Sequence, residues 1–323
     1  MGSLRVNKPG LLTTVQDLGR YGYQRYGMPV AGAMDSYAFQ IANLLVGNRR
    51  NAPALEITLL GPEIIFLGAF RIAITGAELG AEINGKKIYS WSSVKVNSGD
   101  RLTFKGAQQG CRAYLSVSGG IEVEEVMGSS STYLRGQLGG YQGRSLKAGD
   151  SLKVVDTDKG DFSGILKVPK QYLSEYKEEA EIRVVKGSQF QEFSQQEIDK
   201  FFNSQYSISL QSDRMGYRLE GEKLQPFQGA DIISEGISLG AVQVPGDGQP
   251  IIMMSDHQTT GGYTKIANVI SVDIATLAQM KPREMISFSL SSIEESQRLY
   301  CERERKLKEL EQMTNKIYMV YSS

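Results

Sequence analysis

The residues best equipped for chemistry lie in one uninterrupted polar run, Ser255-Asp256-His257-Gln258-Thr259-Thr260-Gly261-Gly262-Tyr263. It contains the only histidine of 323 residues. Imidazole changes charge near neutral pH, so His257 is the natural group to move a proton or face a developing oxyanion. Asp256 and Gln258 flank it, and Thr259, Thr260, Gly261 and Tyr263 add donors, acceptors and backbone freedom. The bland reading has the same composition: a solvated loop in which Asp256 caps a turn and His257 is a satisfied interior histidine.

Two further stretches carry binding chemistry. Arg20, Tyr21, Tyr23, Arg25 and Tyr26 fall within a glycine-spaced segment, QDLGRYGYQRYGMPVAG. Guanidinium and phenol together suit an anionic or planar group. Alternatively, the tyrosines pack on glycine turns and the arginines are solvated. Gly128 to Gly143, GSSSTYLRGQLGGYQG, reads either as a backbone cradle for an anion or as a structural loop at a barrel mouth.

Several chemistries are excluded. One histidine and two distant cysteines, Cys111 and Cys301, leave no multi-histidine zinc site. No Gly-x-Ser-x-Gly nucleophile elbow is present, and no dinucleotide fingerprint follows a strand. Gly80-x4-Gly85-Lys86 imitates a phosphate loop, but Lys87 stands where Ser or Thr would hold Mg²⁺, and Ile88-Tyr89 continues as a strand. Met280-Lys281 is followed by Pro282 rather than Met, so no lysine for covalent biotin is expected.

These residues need elements to position them, and the pattern is mainly β. Ala241-Val242-Gln243-Val244 reads as a strand, Pro245-Gly246-Asp247-Gly248 as a tight turn, and Ile251-Ile252-Met253-Met254 as a buried strand delivering His257. This arrangement also brings Gln243 in as a candidate substrate-binding amide. Leu4 to Val15 gives short strands broken at Lys8-Pro9-Gly10, and Asn84-Gly85 predicts a hairpin. Met34, Ala38, Ile41 and Leu45 recur at helical spacing and stop at Gly47. Ser194-x-x-Glu197 and Ser292-x-x-Glu295 are capping boxes. After Ser292 a charged helix carries a thin seam of Leu299, Leu307, Leu310 and Met313, and Ile317 to Tyr321 reads as a closing strand.

Glu56-x4-Gly61 is echoed by Glu235-x4-Gly240, and Ile72 by Ile251 at the same offset, which suggests two diverged copies of one β unit. The polar loop 255–263 then aligns with 76–84. The charged, apolar-poor stretch 156–181 marks a boundary. The expected organisation is a β-rich barrel half over 1–178, a second over 181–290, and a charged helical tail over 291–323. Thirty-five glycines suit a β-rich chain with many corners. Thirty-six basic and 36 acidic residues cancel, which argues against nucleic acid as a partner. No apolar run approaches roughly 18 residues, so no membrane span is expected. The first residues, MGSLRVNKPG, lack a signal peptide's apolar core, and a reducing cytoplasm is the expected setting.

The longer motifs carry a resemblance. TTVQDLGRYGYQRYGMPVAGAMD, ANLLVGN, ALEITLLGP, YLSVSGGIEV, SDRMGYRLEG and GAVQVPGDGQPIIMMSDHQTTGGY are similar to the KipA family, whose members are also called the C subunit of 5-oxoprolinase. That family resembles the carboxyltransferase-type domain of urea carboxylase and was formerly labelled as the second subunit of allophanate hydrolase. The match runs from about Leu4 to Phe288 and leaves the tail outside. It implies a cyclophilin-like β-barrel architecture. It also implies cleavage of the lactam 5-oxo-L-proline to L-glutamate, driven by ATP, in a hetero-oligomer with a KipI-like B component and a lactam-utilisation-type A component. On this resemblance His257, Asp256 and Gln258 are the candidate catalytic groups. Gln243, Thr259, Thr260, Gly261, Tyr263, Arg214 and Arg20 are the candidate substrate-binding groups, the arginines for a carboxylate or phosphate. Either arginine could instead pair with Glu56 or Glu235. Two other functions fit the same motifs: a non-catalytic protein that opposes a KipI-type inhibitor of a sporulation kinase, docking through the charged helix, and a carboxyltransferase acting on biotin carried by another protein.

Overall fold

The computed structural model describes residues 2–155 and 164–322, and the side chains as far as 318; expectations for 156–163 lie outside the described residues. The chain forms two compact units. The first comprises Met1–Arg20, Asp35–Tyr176 and Glu304–Ser323, and the second Tyr21–Met34 and Lys177–Arg303.

The first unit holds β1 (Ser3–Lys8), β2 (Leu12–Gln16), α1 (Ser36–Leu45), β3 (Ala54–Thr58), β4 (Glu63–Leu67), β5 (Phe70–Glu78) and β6 (Ala81–Ile83). It continues with β7 (Lys86–Lys87), β8 (Ser92–Val96), β9 (Arg101–Phe104), β10 (Gln109–Val117), β11 (Ser151–Lys153) and β12 (Leu166–Lys167). Among the described residues these make two six-stranded sheets, β11-β1-β4-β9-β6-β7 and β12-β8-β5-β10-β3-β2. Period-two alternation sends Leu4, Val6, Ile64 and Phe66 of one sheet and Leu55, Ile57, Ile72 and Leu115 of the other into one shared core. α1 starts where Asp35 accepts the Ala38 N–H at 2.9 Å, an N-cap with its usual donor. It lies on the second sheet, with Phe39 edge-on to Tyr114 at 5.9 Å between ring centroids. The expected Asn84-Gly85 hairpin joins β6 to β7, with φ of 51° and 78° at the two corner residues. That geometry is a type I′ turn and leaves no helix after Lys86, so residues 80–87 form no phosphate loop.

The second unit holds β13 (Glu179–Lys186), α2 (Gln195–Asn203), β14 (Tyr206–Ile208), β15 (Gly216–Glu220), β16 (Asp231–Gly236) and β17 (Ala241–Val244). Then come β18 (Ile251–Met253), β19 (Thr260–Val269), α3 (Ile274–Gln279), β20 (Met285–Leu290) and the start of α4 (Ile293–Ser322), whose residues from Glu304 onward belong to the first unit. Its sheet runs β13-β20-β14-β15-β18-β17-β19-β16, and β13 pairs with β19 as well. That last pairing closes seven of the strands into a barrel and leaves β16 as a flap on β19. β13 and β20 run parallel, and the other pairings are antiparallel. Ile182, Val184, Tyr217, Leu219, Val242, Val244, Ile252 and Ile266 fill the barrel. The mainly-β barrel architecture expected from the sequence is what the chain adopts. Ser194 caps α2 through the Glu197 N–H at 3.2 Å, and Phe201 of that helix stacks on Phe288 at 4.4 Å.

The end of the chain departs from expectation. Residues 317–321 continue α4 and form no strand. The buried seam of its distal half is Leu307, Leu310 and Thr314, whereas Met313 is 44% exposed. Thr314 can be buried because its hydroxyl donates to the Leu310 carbonyl at 3.0 Å, closing its own hydrogen bond.

Candidate functional site

β18 ends at Met253, and the chain turns through Met254–Thr259 before entering β19. The turn is anchored twice: the His257 N–H donates to the Met254 carbonyl at 3.0 Å, and the Asp256 N–H to the Arg214 carbonyl at 2.8 Å. His257 is buried, and its Nδ1 lies 2.7 Å from the Gln258 carbonyl oxygen. A carbonyl can only accept, so Nδ1 carries the hydrogen and the lone pair sits on Nε2. Burial pushes the imidazole pKa below its usual 6.5, outweighing the Gln258 carbonyl and the Asp256 charge, which favour the cation. At neutral pH the ring is therefore uncharged and Nε2 is a base.

Asp256 serves a different purpose. Its Oδ2 and Oδ1 accept from Nε and Nη2 of Arg214 at 3.1 and 2.9 Å, a fork with both side chains buried. Arg214 Nη2 also donates to the Gly32 carbonyl at 2.6 Å. Arg214 is thus a partner of Asp256 rather than of Glu235, whose carboxylate meets Lys265 Nζ at 2.5 Å. Such a pair, desolvated on both sides, fixes the two loops it joins.

Gln243 lies on β17, where its register partners are Lys265 of β19 and Ile251 of β18. It is 1% exposed, and its Nε2 finds no acceptor among the described residues. Gly261 leaves room for that amide: a Cβ there would stand 3.0 Å from Gln243 Nε2 and run into Ile237. An uncommitted buried amide N–H pair carries a standing desolvation cost, which an accepting substrate oxygen would remove. Gln258 and Thr260 are exposed, Thr259 and Gly261 half-buried, and Tyr263 is 40% exposed at the rim of β19.

Arg20 belongs to the first unit, where it is fully buried and its Nη2 donates to the Ser131 carbonyl. The serine-rich loop does cradle an anion, but an internal one. Asp17 Oδ1 accepts from the hydroxyls of Ser129 and Ser131 at 2.7 and 2.6 Å, and Oδ2 from the Ser130 N–H at 2.7 Å. Gly139, at φ 64°, is required beside them, since a Cβ would meet the Ser131 carbonyl and stand 2.7 Å from Arg20 Nη2. The structure thus gathers Gln243, Asp256, His257, Gln258, Thr259 and Arg214 in the second unit and places Arg20 in the first. Among the described residues no cluster of three or more His, Cys, Asp or Glu could hold a metal ion. No described helix is long and apolar enough to cross a membrane.

The chain is thus a β-barrel protein that carries a buried imidazole on the turn from β18 to β19. Residues 26–290 match the carboxyltransferase domain, subdomain A and B, and the chain belongs to that family. It is 41% identical to the C subunit of 5-oxoprolinase from Escherichia coli K12, over 95% of this chain and 97% of that protein. It is 38% identical to the Haemophilus influenzae protein of the same name, over 88% of this chain and 90% of that one. Its fold matches the K. lactis urea amidolyase crystal structure with a TM-score of 0.90 at 33% identity, covering 95% of this chain and 20% of that one. The relatives thus include full-length subunits of an enzyme complex, while the chain spans about a fifth of the amidolyase.

Proposed function

We propose that the chain is the C-type subunit of an ATP-dependent 5-oxoprolinase that opens 5-oxo-L-proline to L-glutamate. Its partners in this reading are a KipI-like B component and a lactam-utilisation-type A component in the cytoplasm. The observation that carries the proposal is the end-to-end similarity to the E. coli 5-oxoprolinase protein. The site geometry supports it. A lactam carbonyl whose oxygen has been activated with ATP is attacked by water, and a base must take the water's proton. His257 suits that role, because its Nδ1–H is committed to Gln258 and Nε2 holds a lone pair on an uncharged ring. Gln243 suits the substrate oxygen, and Asp256 with Arg214 positions the loop rather than acting on substrate. ATP is assigned to the assembly: residues 80–87 form a hairpin and do not fit a nucleotide cradle. No lysine of this chain is assigned to covalent biotin.

The test is reconstitution. This chain is mixed with the KipI-like and lactam-utilisation-type partners, and ADP release is followed with and without 5-oxo-L-proline. Lactam-dependent ATP hydrolysis that requires all three chains is expected. Hydrolysis by the two partners at full rate without this chain would overturn the proposal.

A further inference from the structure

One buried charge of the second unit takes no part in the site above. Lys265 on β19 is 5% exposed. A lysine ammonium so desolvated needs an anion beside it at all times. That anion is Glu235, on the flap strand β16, and the way it is held is unusual. A single oxygen, Oε1, stands 2.5 Å from Lys265 Nζ and 2.9 Å from Gln189 Nε2, and Ser188 Oγ lies 3.3 Å away. The Ser188 hydroxyl also lies 3.1 Å from Gln189 Oε1.

Of the three donors, Gln189 is held in place independently of the carboxylate. Gln189 Oε1 accepts the Lys265 N–H at 3.2 Å, and the Gln189 N–H donates to the Lys265 carbonyl at 3.2 Å. The first of these bonds settles which end of the amide faces Glu235. Gly187 lets the strands approach that closely, since a Cβ would collide with the Lys265 carbonyl. Glu235, by contrast, is loosely owned. It sits on an outermost strand whose register with β19 shifts between Asp231 and Glu235, and its side chain is 43% exposed while that of Lys265 is 7% exposed. Beside the cradle, Ser188, Gly236, Ser238, Asn268, Lys265 and Lys186 line a cleft of about 190 Å³. At ~30 Å³ per water molecule this holds roughly six waters, the bulk of an amino-acid-sized solute. Lys186 adds a second positive charge to its wall.

We propose that Lys265, Gln189 and Ser188 form a binding site for a small carboxylate, and that Glu235 is its built-in occupant, displaced when an amino-acid-sized acid enters the adjoining cleft. An incoming carboxylate can face the Lys265 ammonium and accept from Gln189 in place of the one Glu235 oxygen. It can also offer its second oxygen to a Lys265 Nζ that the ion pair leaves without a well-directed hydrogen bond among the described residues. The cost of binding is release of Glu235 to water, where its exposed side chain is readily solvated. The readout of this site needs no partner protein, so its failure and that of the reaction proposed above are distinguishable.

The test is calorimetric titration of the full chain with acetate and L-glutamate, and with inorganic phosphate as comparison. Glu235→Ala removes the competitor, so carboxylate is expected to bind at least ~10-fold tighter than to the wild type, a gain of about 1.4 kcal/mol. Adding Lys265→Met to that variant is expected to abolish binding, and Gln189→Ala serves the same purpose if the lysine variant does not fold. Glu235→Gln replaces Glu235→Ala if the latter is unfolded by circular dichroism. A folded Glu235 variant that binds carboxylate no better than the wild type overturns the proposal. So does equal affinity for phosphate, which would make the cleft an indiscriminate anion trap.

Discussion

At the scale of residues, His257 and the Arg214–Asp256 pair make opposite electrostatic demands on one loop. Burial of His257 favours the neutral ring, so its folded pKa lies below the unfolded value near 6.5. Above about pH 6.5 neither state binds a proton there, and the residue adds no pH dependence. As pH falls from about 6.5 toward the lowered folded value, the unfolded chain takes up a proton that the folded chain refuses, and stability is lost. Since His257 is the only histidine, urea unfolding at pH 7.5 and 5.5 should show a larger loss for the wild type than for His257→Gln. Equal losses would refute the assignment. Asp256→Asn leaves the buried Arg214 guanidinium without its counter-charge and is expected to cost ~3–5 kcal/mol. Pairing Asp256→Leu with Arg214→Met should recover part of that loss in a double-mutant cycle. The sequence shows Asp256 beside His257 and so suggests chemistry for both. The partner that occupies both Asp256 oxygens is 42 residues away, a distance over which spacing carries no signal. The same holds for Lys265, which in sequence is one more polar residue in a strand.

At the scale of elements, short-range chemistry is legible in the sequence and long-range pairing is not. The Asn84-Gly85 hairpin, the Ser194 cap and the helix after Met34 each depend on residues within four positions of one another, and each forms where the residues place it. The barrel closes through β13 with β19 and β20, across about 80 to 110 residues, and no local pattern encodes that choice. The apparent repeat illustrates the limit. Glu56 is buried within β3, whereas its aligned counterpart Glu235 lies on the exposed flap β16. The stretch aligned with the His257 loop begins inside β5, which runs unbroken to Glu78. Helix α4 differs from expectation at its end because Ile317, Tyr318 and Val320 favour strands by composition. The helix instead persists, and Tyr318 there donates to the Leu45 carbonyl at 2.7 Å. Tertiary contact overrides intrinsic preference in this segment. Its seam makes a direct prediction: Leu307, fully buried, should cost ~2–5 kcal/mol as Leu307→Ala, read from the urea midpoint. Met313→Ala, on the exposed face, should change stability by less than ~0.5 kcal/mol.

At the scale of the whole molecule, the functional alternatives differ in what they require of His257. As the base of a lactam-opening assembly, its ring must be uncharged, and His257→Gln should lower lactam-dependent ATP hydrolysis by ~10²–10⁴-fold. A chain that only sequesters a partner needs no proton acceptor, so the same variant would leave its function intact. The experiment must separate a lost base from a lost complex. Co-purification of His257→Gln with both partner proteins should match the wild type, since the substitution keeps size and polarity inside a loop anchored by backbone hydrogen bonds at Met254 and Arg214. Activity of the wild-type assembly should then fall with acid as the neutral imidazole becomes protonated, with an inflection below pH 6.5 in keeping with the lowered pKa. A variant that assembles but turns over normally would move the proton transfer to another chain and leave this one as scaffold. An acid limb unchanged by any substitution at position 257 would lead to the same conclusion from the pH axis.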